Sequence, residues 1–341
     1  MRSSGWSLAL LFIAAPIHAQ VASQPPKNVQ ILTGLSRPEL QRVMNEMAAG
    51  LGVHCHYCHA TDNSGGASDT KPEKARAREM IRLTMDLNAR NFGGKPVVTC
   101  FTCHNGKPRP AMTPPLPQPV PPEPVAPEAK AFPPLKSVLD KYVAAVGREP
   151  AAGTTRRFKG THKSPTGKPI PMTIADTGDK WRADIQLPDG TGATQSVGAD
   201  GGWARDKNGV RDMTLEEVVS ARMSRRAYAP FYASAIGPDA RVVDSEPLGG
   251  HTAWVVATPS ARYWFDTDSG LLLRRVTYAD SPVGRIPEQT DFDDYRVVGA
   301  SKIPFLVRVS LVDPWLGGTR QAETIELGAP IDPAELARPG T

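Results

Sequence analysis

Cys55-His56-Tyr57-Cys58-His59 and Cys100-Phe101-Thr102-Cys103-His104 are two copies of one five-residue pattern, C-x-x-C-H. Two thiols at this spacing can add to the two vinyl groups of one porphyrin. The histidine that follows is then held over the ring face, within reach of the iron. The chain has four cysteines, and all four lie in these motifs. The pattern implies two covalently bound c-type haems, with Cys55, Cys58, Cys100 and Cys103 as attachment points and His59 and His104 as proximal iron ligands.

Paired C-x-x-C motifs also occur in zinc sites, but zinc ribbons separate their knuckles by far fewer residues than the 41 between Cys58 and Cys100. A zinc site would also leave the identically placed His59 and His104 without a role. A redox-active C-x-x-C pair or a structural disulfide is the other reading of the thiols. The repeat of the full pattern favours haem over both.

Each motif is preceded by a helical pattern. Ser36 and Glu39 form an S-x-x-E capping box with Pro38 in the first turn, and Leu40, Val43, Met44, Met47 and Leu51 then fall on one face before Gly50 and Gly52. Thr70, Pro72 and Glu73 open a second helix carrying Met80, Ile81, Leu83, Met85 and Leu87, which closes near Gly93-Gly94. Methionine on an apolar helical face is usually core packing. Spacing alone does not choose between Met44 and Met47, or between Met80 and Met85, as sixth iron ligands.

The stretch from about Gln41 to Pro110 resembles half of the tetrahaem cytochrome subunit of photosynthetic reaction centres. The matching text is Arg42-Val43-Met44-Asn45, the first motif, Ala67-Ser68-Asp69, Ala77-Arg78-Glu79-Met80-Ile81-Arg82, Leu87-Asn88 and Val98-Thr99 before the second motif. The resemblance implies that Met44 and Met80 are the distal iron ligands, and leaves Met47 and Met85 as packing residues. The family's other two haem motifs have no counterpart here, and Asn88–Thr99 lacks the histidine that the family places there. Both departures fit a dihaem unit and weaken the case for a photosynthetic partner.

Around this unit the 341-residue chain divides further. Residues 1–19 look like a secretory signal peptide, with Arg2, an apolar run from Trp6 to Ile17 and the cleavage-like Ile17-His18-Ala19. Nothing later approaches the length of a membrane-spanning helix. Export to the periplasm fits covalent haem attachment. Residues 26–106 form the expected dihaem domain. Residues 107–135 contain twelve prolines and are expected to run as a polyproline II linker.

Residues 136–341 open with one amphipathic helix, Val138 to Val146, and then read as consecutive strands with short turns at Lys207-Asn208-Gly209 and Asp268-Ser269-Gly270. Thr214 and Glu217 mark one further helix. Tyr142-Val143-Ala144-Ala145-Val146-Gly147, Asp200-Gly201-Gly202-Trp203, Tyr263-Trp264-Phe265-Asp266 and Ile303-Pro304-Phe305 resemble the lipoprotein-localisation family. That resemblance implies an unclosed antiparallel half-barrel and an apolar ligand. The expected fold class is therefore α+β, with a small helical c-type dihaem domain, a Pro-rich linker and an antiparallel β half-barrel-like domain with a few helices.

Net charge is +5, basic residues are scattered, and nucleic-acid binding has no support. Filled axial positions would leave no open iron site, which points to electron transfer with redox protein partners rather than bond-making chemistry. A lipid- or quinone-binding module with redox-partner haems, and a peroxidase-like haem enzyme, are the alternatives. His54 and His56 are expected to be exposed. Neither His162 nor His251 is expected to ligate iron. Asp291, Asp293 and Asp294 read as a solvated strand edge or turn. No nucleophile–base arrangement stands out.

Overall fold

The computed structural model describes residues 26–121, 131–151, 153–187, 189–229 and 231–340. The expected signal peptide and residues 122–130 of the proline-rich segment lie outside them. The chain forms two compact units. One contains Pro26–Pro134 and Tyr278–Ile286, and the other contains Leu135–Thr277 and Pro287–Thr341.

The first unit is helical. Helix α1 spans Arg37–Leu51, α2 Pro72–Phe92 and α3 Cys100–His104, and Cys55–Tyr57 form a single 3-10 turn. The Glu39 carboxylate accepts from both the backbone N–H and the hydroxyl of Ser36, at 2.8 and 2.6 Å, which satisfies the start of α1. Gly52 ends α1 in the left-handed region at φ 65°, a conformation that costs glycine nothing. Gly93 ends α2 in the same way. The residue that caps α2 is Lys71 rather than Thr70.

Leu32, Leu40, Val43, Ile81 and Val283 make the buried core of this unit, with Met44, Met47 and Met85 packed at its margin. Each fully buried aliphatic side chain of this kind contributes about 2 kcal/mol. The described part of the linker beyond the second motif, residues 107–121, has neither helix nor strand. Its prolines remove the donors that either would need.

The second unit begins with α4, Leu135–Val146. Six strands follow: β1 (Arg156–Lys163), β2 (Ile170–Asp176), β3 (Trp181–Gln186), β4 (Gly192–Gly198), β5 (Gly201–Asp206) and β6 (Gly209–Asp212). Helix α5, Leu215–Ala227, interrupts the series. It resumes with β7 (Arg241–Leu248), β8 (His251–Ala257), β9 (Ala261–Asp266), β10 (Leu272–Ser281), β11 (Gly284–Val298), β12 (Ser301–Leu311) and β13 (Gly317–Leu327).

These thirteen strands make one sheet in the order 6-5-4-3-2-1-13-12-11-10-9-8-7. Every sequential pair except β6 and β7 is a meander step. The first strand pairs antiparallel with the last, Arg156 opposite Leu327 and Lys163 opposite Thr319. The sheet therefore stays open between β6 and β7, where α5 breaks the run. This is the expected antiparallel, unclosed arrangement with few helices.

Two cores hold it. Trp181, Met172, Ile174 and Val197 pack with Val218 and Ala221 of α5. Val138, Tyr142 and Val146 of α4 pack with Val256, Phe265, Leu272 and Phe292. Asp291, Asp293 and Asp294 do not form an edge. They lie on β11, an interior strand flanked by β10 and β12. Their charges are met by Arg274, Arg308 and Arg296; Arg274 and Arg308 become neighbours only once the strands pair, whereas Arg296 lies two residues beyond Asp294 on β11 itself.

Candidate functional site

Each C-x-x-C-H motif adopts a helical turn. That places the first thiol, the second thiol three residues on and the histidine four residues on along one side. The second motif is fixed at both ends. Thr99 and Thr102 exchange hydrogen bonds in a reciprocal cap, and Asn105 leaves the turn at φ 48°. Cys55 and Cys103 are exposed, whereas Cys58 and Cys100 are half-buried.

Burial pushes the Cys100 thiol up to about 11 and raises Cys58 as well. A redox-active C-x-x-C pair or a thiolate metal site calls for the opposite shift. Among the described residues, no group of three or more His, Cys, Asp or Glu side chains is arranged to hold a metal ion.

The two histidines share one arrangement. His59 directs Nδ1 to the Gly66 carbonyl oxygen at 3.3 Å, and His104 directs Nδ1 to the Lys107 carbonyl oxygen at 2.9 Å. A carbonyl can only accept, so Nδ1 carries the proton and Nε2 keeps its lone pair for an iron. Burial also lowers the His59 pKa, which keeps that imidazole neutral.

Helix α2 supplies one polar anchor for each motif. At its start the buried Lys74 ammonium donates to the carbonyls of Gly66, Ala67 and Ser68 at 2.8–3.0 Å, and pairs with Asp69 at 2.9 Å. It thereby holds the loop whose Gly66 carbonyl orients His59. Arg78, then Lys74, hold the Asp69 carboxyl well below the usual carboxylate range. Near the other end of α2, the buried Asn88 donates to the Val98 carbonyl and accepts from the N–H groups of Val97 and Val98. That fixes the approach to Cys100.

Sequence reasoning assigned no role to Lys74 or Asn88. The available signal was a lysine in the first turn of a helix, where a positive charge is unfavourable unless it has a partner.

Helix α1 touches the second motif as well as preceding the first. A Cβ on the buried Gly50 would stand 3.1 Å from Cys100 Cβ and 3.2 Å from Phe101 N, so glycine allows the close approach. The Gly106 N–H donates to the Gly50 carbonyl at 2.9 Å. The same helix carries Met44, which lies half-buried at the edge of the core.

Met80 is 37% exposed and continues into Leu83 at 52% and Leu87 at 37%, an apolar row on the outer face of α2. Phe101, Val97 and Tyr57 are also exposed. Tyr57 and Phe101 lie inside the two motifs, so each motif carries exposed apolar surface beside its thiols that a porphyrin face would cover, and the residues present fit haem. Met47 and Met85 pack against the core, as Met44 does.

The remaining histidines stand apart from this arrangement. His54 and His56 are exposed, His162 is buried on β1, and His251 begins β8. The β unit has a cleft of about 50 Å³, lined by Phe158, Ile174, Phe292, Ile303, Phe305 and Leu327 among others. No helix among the described residues is long and apolar enough to cross a membrane.

The N-terminal part of the chain is similar to c-type cytochromes. Residues 12–122 match the family model of the photosynthetic reaction centre cytochrome C subunit. Over 88 residues the chain is 43% identical to cytochrome c-554 of Chloroflexus aurantiacus, a match covering 24% of this chain and 20% of that protein. It is 36% identical over 93 residues to the photosynthetic reaction center cytochrome c subunit of Rubrivivax gelatinosus, covering 26% and 25% of the two chains.

The chain thus spans about a fifth to a quarter of the length of these curated relatives. Among solved structures, a LolA superfamily protein from Nitrosomonas europaea overlaps 61% of this chain and 99% of its own, at 10% identity and a TM-score of 0.38. A putative outer membrane lipoprotein-sorting protein domain from Vibrio parahaemolyticus overlaps 59% and 94%, at 12% identity and a TM-score of 0.35.

Proposed function

We propose that this chain is a periplasmic dihaem c-type cytochrome that carries or relays electrons between redox protein partners after its signal peptide is removed. The observation that carries the reading is the shared orientation of His59 and His104, each with Nδ1 committed to a backbone carbonyl. Cys55 and Cys58 bind one haem covalently, and Cys100 and Cys103 bind the other. His59 and His104 would present Nε2 to the two irons, and Met44 and Met80 would supply each iron's second protein ligand.

Bound haem supplies a one-electron ferric/ferrous couple, and a thioether ligand favours the ferrous state relative to bis-histidine ligation. The chain's own residues hold the ligands in place. Lys74 and Asn88 fix the backbone around each histidine, and α1 reaches both motifs, so one rigid helix is common to the two sites. That continuity favours relay between the haems over independent carriage. Residues 26–106 act as the electron-transfer domain, residues 107–135 as the spacer and residues 136–341 as the second domain.

A redox titration with optical spectra tests the reading. The expected result is two low-spin, methionine-ligated couples and no turnover of peroxide by the native protein. A high-spin haem that binds added ligands freely would support peroxidase-like chemistry instead.

The cleft of the β unit supports one addition, the binding of an apolar ligand such as a lipid or quinone. Its walls are mostly aliphatic and aromatic, the lining that an apolar ligand would need. Mass spectrometry of the purified protein should detect a co-purifying apolar molecule. A preparation free of any such molecule that also takes up none on incubation with lipid or quinone would remove this addition.

A further inference from the structure

The turn Ser281-Pro282-Val283-Gly284 joins β10 to β11, yet Tyr278–Ile286 belongs to the unit that carries the C-x-x-C-H motifs. Its contacts fall on α1 on both sides of Met44. Val283 is 0% exposed and shares the core with Val43, the residue before Met44. Ser281 Oγ donates to the Glu46 carboxylate at 3.1 Å, two residues beyond Met44.

Gly284 lies so close to α1 that a Cβ there would run into the Glu46 carboxyl group, and it would also stand 3.1 Å from Thr99 Cγ2 at the start of the second motif. Burial raises the Glu46 pKa, and the Ser281 hydrogen bond opposes that rise.

We infer that the 281–284 turn is a positioning element for the methionine helix, with Val283 and Ser281 fixing where α1 presents Met44 to the iron held by His59. The inference rests on the reading of Met44 as that iron's distal ligand. A side chain held on one flank only could rotate or slide along its helix neighbours. Contacts at both 43 and 46 remove that freedom, because the two residues bracket the ligand within one helical turn. A loosely held thioether gives way to external ligands, so the strength of the grip is readable at the iron. Val283 shares this core with Ile81, the residue after Met80, as well as with Val43, so Ser281, whose hydroxyl bonds Glu46 on α1, is the variant that separates the two haems.

The test uses the full-length holoprotein with three single variants, Val283→Ala, Ser281→Ala and Met44→Ala. Imidazole affinity and the methionine-to-ferric-iron charge-transfer band are measured for each haem. Val283→Ala is expected to raise imidazole affinity about tenfold at the His59 haem, equivalent to about 1.4 kcal/mol, and by less at the His104 haem, because Ile81 shares its core. Ser281→Ala, which leaves the core intact, should shift the His59 haem in the same direction by a smaller factor. If Met44→Ala opens the His59 iron while neither turn variant changes its affinity relative to the other haem, the positioning role is overturned. If Met44→Ala leaves the band and the affinity unchanged, the ligand assignment itself fails and the inference falls with it.

Discussion

His104 and Lys107 are joined by a hydrogen bond of 2.9 Å between the imidazole Nδ1 and the backbone carbonyl three residues on. The equivalent bond at the first motif runs from His59 to Gly66, seven residues on, at 3.3 Å. One acceptor is local to its helical turn, while the other sits in a loop that needs outside support. That support comes from Lys74, so the two motifs differ in how their histidines are secured.

Replacing Lys74 with methionine keeps the length of the side chain and removes its charge. Three carbonyls and Asp69 lose their partner. The expected cost is about 2–4 kcal/mol of stability, since the bonds lost involve a charged and nearly buried donor. Hydrogen exchange should show faster opening of the amides between Ser64 and Thr70, with those around Val97–Thr99 unchanged.

Asn88→Ala should give the mirror image. It removes three hydrogen bonds to Val97 and Val98 at a buried site, and the expected loss is about 2–3 kcal/mol. Amide exchange should quicken at residues 97–99 and stay constant in the loop around Gly66.

Gly52→Ala tests the docking of α1 on the second motif. The position has φ 65°, and a Cβ would collide with the carbonyl of Gly106. Left-handed backbone costs a non-glycine residue about 1–2 kcal/mol before the collision is counted. The expected outcome is a less stable protein with a reduced yield of haem on Cys100 and Cys103, read from the absorbance ratio of Soret to protein bands.

Acid sensitivity should reside in the β unit. His162 is buried beside Arg320, and burial followed by that positive charge lowers its pKa to about 3. The folded state thus resists a proton that the unfolded chain accepts below its ordinary value of 6.5. Stability from this residue is complete above about pH 6.5 and is lost as pH falls towards 3, with a slope of up to about 1.4 kcal/mol per pH unit. Urea unfolding followed by tryptophan fluorescence between pH 4 and 7 should show the slope, and His162→Phe should flatten it.

Much of this arrangement was legible in the sequence because it rests on local chemistry. The Ser36–Glu39 box, the glycines at 52 and 93 and the Thr214–Glu217 box fall where the helices begin or end. The turn at Asp268-Ser269-Gly270 falls between β9 and β10, where the strand reading placed it.

The less legible elements are those whose residues make sense only in company. Strand β4 buries Thr194, Gln195 and Ser196, and β11 carries Pro287 beside several acids. Asp184 accepts from Thr194 across the β3–β4 hairpin, and the Leu336 carbonyl accepts from Ser196, a partner that no window of sequence contains. The share of Val283 in the core around Met44 belongs to the same class, because contact across such a separation leaves no periodicity behind. Choosing Met44 and Met80 over their neighbours came from resemblance, since helical spacing treats all four methionines alike.

The central claim is that four thiols are spent on two haems, and the mass of the intact exported protein measures this most directly. The account predicts a mass greater than that of the mature polypeptide by two haem groups, falling to one when Cys55 and Cys58 are both replaced by alanine. A wild-type mass equal to the polypeptide alone, or to the polypeptide with its cysteines oxidised in pairs, would contradict it.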